Sequence, residues 1–338
     1  MNYIITGGTG FIGTHLTNLI LEENPKAKVY NLDIVEPGTS NPVVKDYKPA
    51  VLPGKKLGST WISCDVRNSI NELPFTPTSE DVIFNLAAVH RTPGHEDHEY
   101  FETNIQGAEN VCAFAEKYGI KKIVFTSSIA PYGAAEELKE ETTLPTPNMA
   151  YGISKLVAEK IHMIWQAKDA ESRQLTILRP GVVFGHGENG NFSRLYKAIK
   201  SHKFAYPGRT DTIKACIYVK ELVSFMLYRV RMHPHGVELY NCCYEPAYTI
   251  RHIVESMKKV TGMDVYIPEI PNWIIMPVAT VIGALGAPMG ICPARVKKLQ
   301  ISTNISGKNL KESGYCFKWS FEEALMDWFV DNDKRGLE

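Results

Sequence analysis

No CxxC pair occurs anywhere in this 338-residue chain, and its seven cysteines (64, 112, 216, 242, 243, 292 and 316) are odd in number. That usage excludes a zinc ribbon and argues against a disulfide framework, so the thiols read as reduced. Neither sign of charge is in excess: 37 Lys and Arg balance 37 Asp and Glu. There is thus no global field to draw nucleic acid or an anionic membrane, and no nucleic-acid partner is expected. Repeats and low-complexity tracts are lacking. So is a basic leader: the first apolar run passes straight into glycines, and a cytoplasmic, unsecreted protein is expected. His95 and His98 have no companion cluster with ligand spacing, so no metal is expected. What is present is 44% hydrophobic and 22% charged residues, enough for an ordinary core on a length that suits about two domains.

The first half alternates short apolar runs with amphipathic stretches. Strands are expected at Tyr3–Thr6, Lys28–Leu32, Thr60–Cys64, Val82–Asn85, Lys122–Thr126 and Leu175–Leu178. Helical patterns at Phe11–Glu23, Tyr100–Lys117 and Ala150–Lys168 lie between them. Such alternation predicts βαβ units and a doubly wound parallel α/β sheet. Glu36–Gly58, rich in Pro, Gly and Lys and without period, reads as a long surface loop. After about residue 180 the rhythm loosens. The expected division is 1–180 as a nucleotide-binding domain and 181–338 as a smaller α/β substrate lobe. A strand at 214–219 and a helix at 219–230 would return to the first sheet, within a returning segment 214–243.

The stretch TGGTGFIGTHL follows the first strand and opens the first helix, with Gly7, Gly10 and Gly13 spaced GxxGxxG. A tight turn, a backbone free to approach a pyrophosphate and a positive helix N-terminus are what a dinucleotide requires. Asp33 ends the second strand twenty residues beyond Gly13. A carboxylate there accepts from both adenine-ribose hydroxyls and repels a 2′-phosphate, and no Arg follows closely to receive one. NAD is expected rather than NADP.

In AYGISK, Tyr151 and Lys155 stand four residues apart. On a helix they share one face, roughly 5–6 Å apart at Cβ. Upstream, Ser127 and Ser128 close the fifth strand in VFTSSIAPYG, at the carboxyl edge where open α/β sheets bind ligands. A phenol with pKa near 10 needs a fixed cation nearby to act as a base near neutral pH.

With these elements in this order, the chain resembles the extended branch of the short-chain dehydrogenase/reductase superfamily, the NAD-dependent sugar epimerases and dehydratases. The resemblance rests on TGGTGFIG, Asp33, CDV (64–66), NLAA (85–88), Asn104 in ETNIQG, TSSIAPYG, YGISK and LRPGVVFG (178–185). It implies a Rossmann-type fold with Tyr151 as acid/base, Lys155 lowering its pKa and binding the nicotinamide ribose, and Ser128 holding the reacting oxygen. It also implies cofactor contacts at Gly7, Gly10, Phe11, Ile12, Gly13, Leu86, Ala88, Asn104 and Ser127. Asp65 and Val66 would meet the adenine, Ala87 the neighbouring ribose and phosphates, and Pro180 the nicotinamide.

Dehydratases of this branch carry an Asp–Glu pair after the catalytic hydroxyl, where this chain has Ile129 and Ala130. Neither transfers protons, so 4-epimerisation through a keto-sugar is expected. A one-way 4-ketoreductase uses the same residues and is the alternative; a cofactor-bound regulatory protein without turnover is a remote one. Lys214 stands where sugar-nucleotide epimerases usually place an Arg for the diphosphate. Asn191 and Phe192 would form a lid over the substrate, Arg295 a second phosphate ligand, and His90 either a substrate contact or a turn cap. LAAVHR (86–91), RPGVVFGHGENGN (179–191), Lys214 and RVKKL (295–299) are similar to bacterial epimerases of polyprenyl-diphosphate N-acetylhexosamines. Either that or a UDP-sugar is the substrate implied, for surface polysaccharide synthesis. A homodimer through the Tyr100–Lys117 and Ala150–Lys168 helices is implied as well.

Residues 272–292, NWIIMPVATVIGALGAPMGIC, form the most apolar stretch. It is about the ~20 residues a bilayer span needs, yet Pro277, Pro288 and three glycines interrupt it. Three readings stand: a transmembrane helix, a buried helix of the small lobe, and a surface-lying segment near the substrate mouth. The last would bring peripheral contact with the inner face of a membrane.

Overall fold

The computed structural model describes residues 1–37, 58–70, 73–90, 94–232, 235–284 and 293–338. In chain order the first elements are β1 (Asn2–Thr6), α1 (Phe11–Glu23), β2 (Lys28–Asp33), β3 (Thr60–Ser63), β4 (Val82–Asn85), α2 (Asp97–Tyr118) and β5 (Lys122–Thr126). A 3-10 turn at Ala130–Tyr132, β6 (Ala135–Lys139), α3 (Ala150–Ala167), β7 (Gln174–Pro180), β8 (Val182–Phe184) and α4 (Asn191–Lys200) follow. Next come β9 (Tyr206–Pro207), β10 (Ile213–Lys214), β11 (Cys216–Tyr218), α5 (Val219–Met232), β12 (Gly236–Cys242), β13 (Tyr248–Thr249) and α6 (Ile250–Thr261). The chain continues through β14 (Glu269–Ile270), α7 (Asn272–Ala284), α8 (Pro293–Gln300), β15 (Thr303–Ile305), α9 (Lys308–Glu312) and α10 (Phe321–Asp331).

Seven parallel strands run in the order β12-β7-β5-β4-β1-β2-β3. The order reverses between β1 and β4, and that switch point opens a crevice at their carboxyl ends. The central strands are apolar throughout because helices cover both faces. On one face Leu16 and Ile20 of α1 meet Phe225 and Met226 of α5 over Ile5, Val82 and Phe84. On the other, Val111 and Phe114 of α2 and Ala158 and Trp165 of α3 cover Ile83, Ile123 and Ile177. Successive residues of one strand, such as Val82 and Ile83, therefore belong to opposite layers. The α2 helix is delimited locally: Glu99 accepts the Glu96 N–H at 2.7 Å, and Gly119 ends the helix in the left-handed region.

A four-stranded sheet, β13-β10-β15-β6, lies outside the main one. Beside it an aromatic cluster gathers Phe184, Phe192, Tyr218, Phe321 and Trp328. Here the structure departs from expectation. The 214–219 strand does not enter the seven-stranded sheet: β11 pairs with β8 alone. The α5 helix and β12 do return, packing on α1 and pairing with β7 along its whole length. Most of the expected loop at 36–58 lies outside the described residues.

The apolar segment 272–292 also differs from the buried helix that its composition allows. Of it, Asn272–Ala284 is helical and lies on the surface, with Trp273 78% and Val281 59% exposed and Ala279 turned inward. No described helix is long and apolar enough to cross a membrane. The physical reason is amphipathicity of an unusual kind: small Ala279 meets the protein while Trp273, Ile274, Val278 and Val281 face out.

Candidate active site

Gly7 leaves β1 with φ +66°, and a Cβ there would sit 2.8 Å from the Ala87 nitrogen. A Cβ on Gly13 would be 2.6 Å from the Gly7 carbonyl oxygen. Both positions thus admit only glycine, one for conformation and contact, the other for contact alone. The N-terminus of α1 is capped by Gly10 without any side-chain bond, which leaves first-turn N–H groups to face an anion. Asp33 closes the end of β2 against this turn: its carboxylate accepts from the Thr9 and Val35 N–H groups, each at 3.1 Å. Burial raises its pKa, and the bonds from Thr9 and Val35 oppose the rise. A cradle that a Cβ would fill, an open helix end and a carboxylate beside them fit a dinucleotide carrying a free 2′-hydroxyl. Phe11 and Ile12 begin α1 at the cradle's edge.

Beyond the switch point, the Leu86 N–H donates to the Thr6 carbonyl at 3.1 Å, which draws the turn of Leu86, Ala87 and Ala88 against the glycines. Asn104 holds that turn. Its amide accepts from the Val89 N–H at 3.0 Å, donates to the Val89 carbonyl at 3.1 Å, and donates to Ser154 Oγ at 2.9 Å. These bonds tie Asn104, expected among the cofactor contacts, to the turn and to α3. His90 follows on the exposed side. Asp65, expected at the adenine, is gripped by Arg67 at 2.6 and 3.0 Å, and that bond keeps its carboxyl below the usual range. Val66 is buried, and its carbonyl accepts from Asn110 at 2.8 Å.

The expected Ser128, Tyr151 and Lys155 are brought together by β5 and α3. Ser128 follows β5, its Oγ accepting the Ala130 N–H at 3.1 Å, and its side chain lies near enough to Tyr151 to influence the phenol. Lys155, one turn along α3, is 2% exposed and donates to the Thr126 carbonyl at 2.7 Å. Sequence leads one to expect a phenol whose pKa is lowered by Lys155. In the structure, burial raises the pKa of Tyr151, Ser128 lowers it, and Tyr100 adds to the rise. Burial also lowers Lys155 to about 7, with Glu159 opposing. Burial therefore disfavours the charged form of both groups and moves them apart in acidity.

Ser127 turns inward: its hydroxyl donates to Glu159 Oε1 at 2.5 Å. Glu159 is fully buried and is held by Arg179, whose Nε and Nη2 donate at 2.8 and 2.6 Å. Sequence reading misses both residues. The available signals are an acid four residues after Lys155 and an arginine inside the apolar run QLTILRP. Pro180 ends that strand, opposite Cys242 of β12.

On the substrate side the expected residues separate. Lys214, on β10, donates to the Ile301 carbonyl at 2.7 Å. Asn191 is exposed at the start of α4, where it accepts from Arg194 at 3.2 Å. Phe192, expected as a substrate contact, has its ring buried and stacked on Phe184 with centroids 4.6 Å apart. It therefore anchors α4 to the aromatic cluster. Arg295 lies on α8, and its side chain is outside the described residues.

Known proteins are similar to this chain in sequence and in fold. The model of the NAD dependent epimerase/dehydratase family matches residues 3–243. Among curated relatives, the N-acetyl-alpha-D-glucosaminyl-diphospho-ditrans,octacis-undecaprenol 4-epimerase of Escherichia coli O157:H7 is 28% identical, covering 96% of this chain and 93% of that protein. Among solved structures, the UDP-N-acetylglucosamine 4-epimerase from Methanobrevibacter ruminantium M1, in complex with UDP-N-acetylmuramic acid, aligns with a TM-score of 0.71 at 22% identity over 98% of both chains. The UDP-glucose 4-epimerase of Thermus thermophilus, in complex with NAD, aligns with a TM-score of 0.69 at 21% identity over 99% of both.

Proposed function

The chain belongs to the NAD-dependent epimerase/dehydratase family, and from that premise we propose that it is a 4-epimerase of a diphosphate-linked sugar. The observation that carries this reading is the placement of Ser128 beside Tyr151, one helical turn from Lys155 and beside the glycine cradle. Gly7, Gly10, Gly13 and the first turn of α1 would hold the pyrophosphate of NAD, and Asp33 its adenine ribose. When bound, NAD would supply a reversible hydride acceptor at C4 of the sugar, which allows return of the hydride to the opposite face. Tyr151 moves the proton: its phenolic oxygen takes it from the 4-hydroxyl as that oxygen becomes a carbonyl, then gives it back. Ser128 hydrogen-bonds the same sugar oxygen, and Lys155 supplies positive charge to the phenolate and a donor to the nicotinamide ribose. Proton and hydride both return, so no oxidant or reductant is consumed. Ile129 and Ala130 stand where dehydratases carry acids, and neither can complete an elimination of water.

We read the carrier as a polyprenyl diphosphate, and the pathway as surface polysaccharide assembly on the inner face of the membrane. Two observations support this. Trp273, Ile274, Val278 and Val281 are exposed on α7, a face suited to lipid. Lys214 provides a point charge for a diphosphate, without the bidentate fork of an Arg. His90 and Asn191 would face the sugar, and Arg295 the diphosphate. The cytoplasm is the compartment that suits thiols that are all free among the described cysteines. We further read the enzyme as a homodimer joined through α2 and α3, because Ile153, Val157 and Ile164 are exposed along α3. Residues 1–180 with α5 and β12 would bind the cofactor, and the remainder the substrate.

The test is product analysis of the purified protein against UDP-sugars and polyprenyl-diphosphate N-acetylhexosamines, with and without added NAD, in the presence of liposomes. The expected result is a 4-epimer of the polyprenyl substrate with catalytic NAD, and sedimentation with liposomes that Trp273→Ser with Val278→Asp abolishes. Net consumption of NADH with product would point to a ketoreductase. Turnover confined to UDP-sugars, with no liposome binding, would assign a nucleotide carrier.

A further inference from the structure

We propose that the buried Glu159–Arg179 ion pair is the positioning element of the catalytic centre: it fixes the Ser127–Ser128 turn against α3 and keeps Lys155 an ammonium. The inference rests on the catalytic roles given above and deepens them.

Tyr151, Lys155 and Glu159 recur every four residues along α3, one stripe with about 6 Å of rise per step. At its inner end, Glu159 Oε1 accepts from both Ser127 Oγ at 2.5 Å and Arg179 Nε at 2.8 Å, while Oε2 accepts from Arg179 Nη2 at 2.6 Å. The Ser127 N–H in turn donates to the Leu178 carbonyl at 2.7 Å. One carboxylate therefore joins the end of β5, which presents Ser128, to the helix that presents Tyr151 and Lys155, and both to β7. The Arg179 guanidinium lies 4.7 Å from the centre of the Tyr132 ring, whose hydroxyl donates to Asn241 Oδ1 at 2.9 Å. Asn241 is the register partner of Arg179 on β12, so the far end of the pair is held as well.

Stability does not account for this pair. Desolvating two ions costs several kcal/mol each, and apolar residues of similar volume often serve a fold as well or better. The neighbouring contacts between α3 and the sheet are apolar, through Ala158, Trp165, Leu175 and Ile177. What an apolar replacement could not provide is charge beside Lys155. From α3, Glu159 and His162 act on that ammonium, with Tyr151 one turn away along the helix; from β5 come the Thr126 carbonyl and the Phe125 ring, 4.7 Å from Nζ. Arg179 stands behind Glu159 on β7, and Tyr100 of α2 lies beside Tyr151. Within this set Glu159 is the one carboxylate. Burial drives Lys155 toward the neutral amine, and Glu159 holds it back.

A role in packing and a role in charge separate by sign. Removing the carboxylate leaves two cations together and lowers the Lys155 midpoint; removing the guanidinium leaves the carboxylate free to raise it. We would titrate Lys155 in the full-length protein by NMR of labelled lysine side chains, with the signal assigned through Lys155→Met. Glu159→Gln should lower the midpoint by about one pH unit and Arg179→Gln should raise it by a similar amount. The double variant Glu159→Gln/Arg179→Gln should return to within about half a unit of the original. If Glu159→Gln does not fold, the rise in Arg179→Gln and its cancellation in the double variant carry the same test. Unmoved midpoints, or shifts of the same sign in both single variants, overturn the proposal and leave the pair a packing element. The titration requires no substrate, so its failure is distinct from a failure of the epimerase reading.

Discussion

The imidazole of His162 lies nearly parallel to the Phe125 ring, with centroids 4.2 Å apart and planes inclined by 15°. The same phenyl ring carries the Lys155 ammonium 4.7 Å from its centroid. Phe125 thus sets His162 and Lys155 against one aromatic floor. The histidine has a defined tautomer. The Ala158 carbonyl, 2.8 Å from Nδ1, only accepts, so Nδ1 donates and Nε2 accepts from the Asn85 amide at 3.2 Å. Asn85 Oδ1 is meanwhile occupied by the Thr6 hydroxyl at 2.7 Å. A second proton on the ring would face a donor, and burial lowers the pKa of His162 to about 4.

His15 is also lowered to about 4, chiefly by burial, with its Nε2 bonded to the His186 carbonyl at 2.8 Å. Unfolded histidines titrate near 6.5. Between these values the unfolded chain binds more protons, so stability is complete above about pH 6.5 and falls as pH drops toward 4. Each histidine should account for about 3 kcal/mol of that loss. Denaturant melts at neutral and acidic pH should show a shallower decline in His162→Gln than in the unaltered protein. Equal slopes would mean that the imidazole is already charged in the fold.

Tyr151→Phe removes one oxygen and leaves the helix intact. Turnover should drop by about 10²–10⁴-fold while NAD affinity changes little. Lys155→Met should damage both, because its ammonium serves the phenolate and the ribose. Retention of more than about a tenth of the rate by Tyr151→Phe would remove that residue from the acid–base role.

Asp33 is placed to favour a free 2′-hydroxyl, so NAD should bind more tightly than NADP. Asp33→Ala should narrow the difference by removing the charge that opposes a 2′-phosphate. It should also free the N–H groups of Thr9 and Val35, which now donate to this carboxylate. Calorimetric titration of both cofactors decides the point, and tighter binding of NADP by the unaltered protein would falsify the assignment.

Two glycines with the same φ of +66° separate conformational strain from contact. At Gly7 an added Cβ would lie 2.8 Å from the Ala87 nitrogen, whereas at Gly119 nothing lies within 4 Å. Gly119→Ala should cost about 1–2 kcal/mol from left-handed strain alone, with NAD affinity unchanged. Gly7→Ala should cost more and should weaken NAD binding, since the Ala87 turn must give way. Melting temperature and NAD affinity measured on both variants make the comparison.

Local rules explain why the nucleotide half is legible. Val82–Asn85 and Lys122–Thr126 read as strands because each centres on three consecutive β-branched or aromatic apolar residues in a short run, and the observed bounds are the same. Phe11–Glu23 likewise begins where the glycines end. The lobe is less legible because its strands are two or three residues long and take their partners from far along the chain. The separate pairing of β11 with β8 is one case. The stacking of Phe192 on Phe184 is another: an aromatic after a glycine-rich loop reads as a lid, and only packing shows it to be an anchor.

The order of strands and helices, the glycine turn and the four-residue spacing of Tyr151 and Lys155 were determined by the sequence alone, because each depends on steric and periodic rules acting over a few neighbours. The charge around Lys155, the inward turn of Ser127 and the outward face of α7 were decided by the tertiary structure. Burial and ion pairing join residues twenty or more positions apart, as in Glu159 and Arg179, and no local pattern records which distant side chain will stand against which.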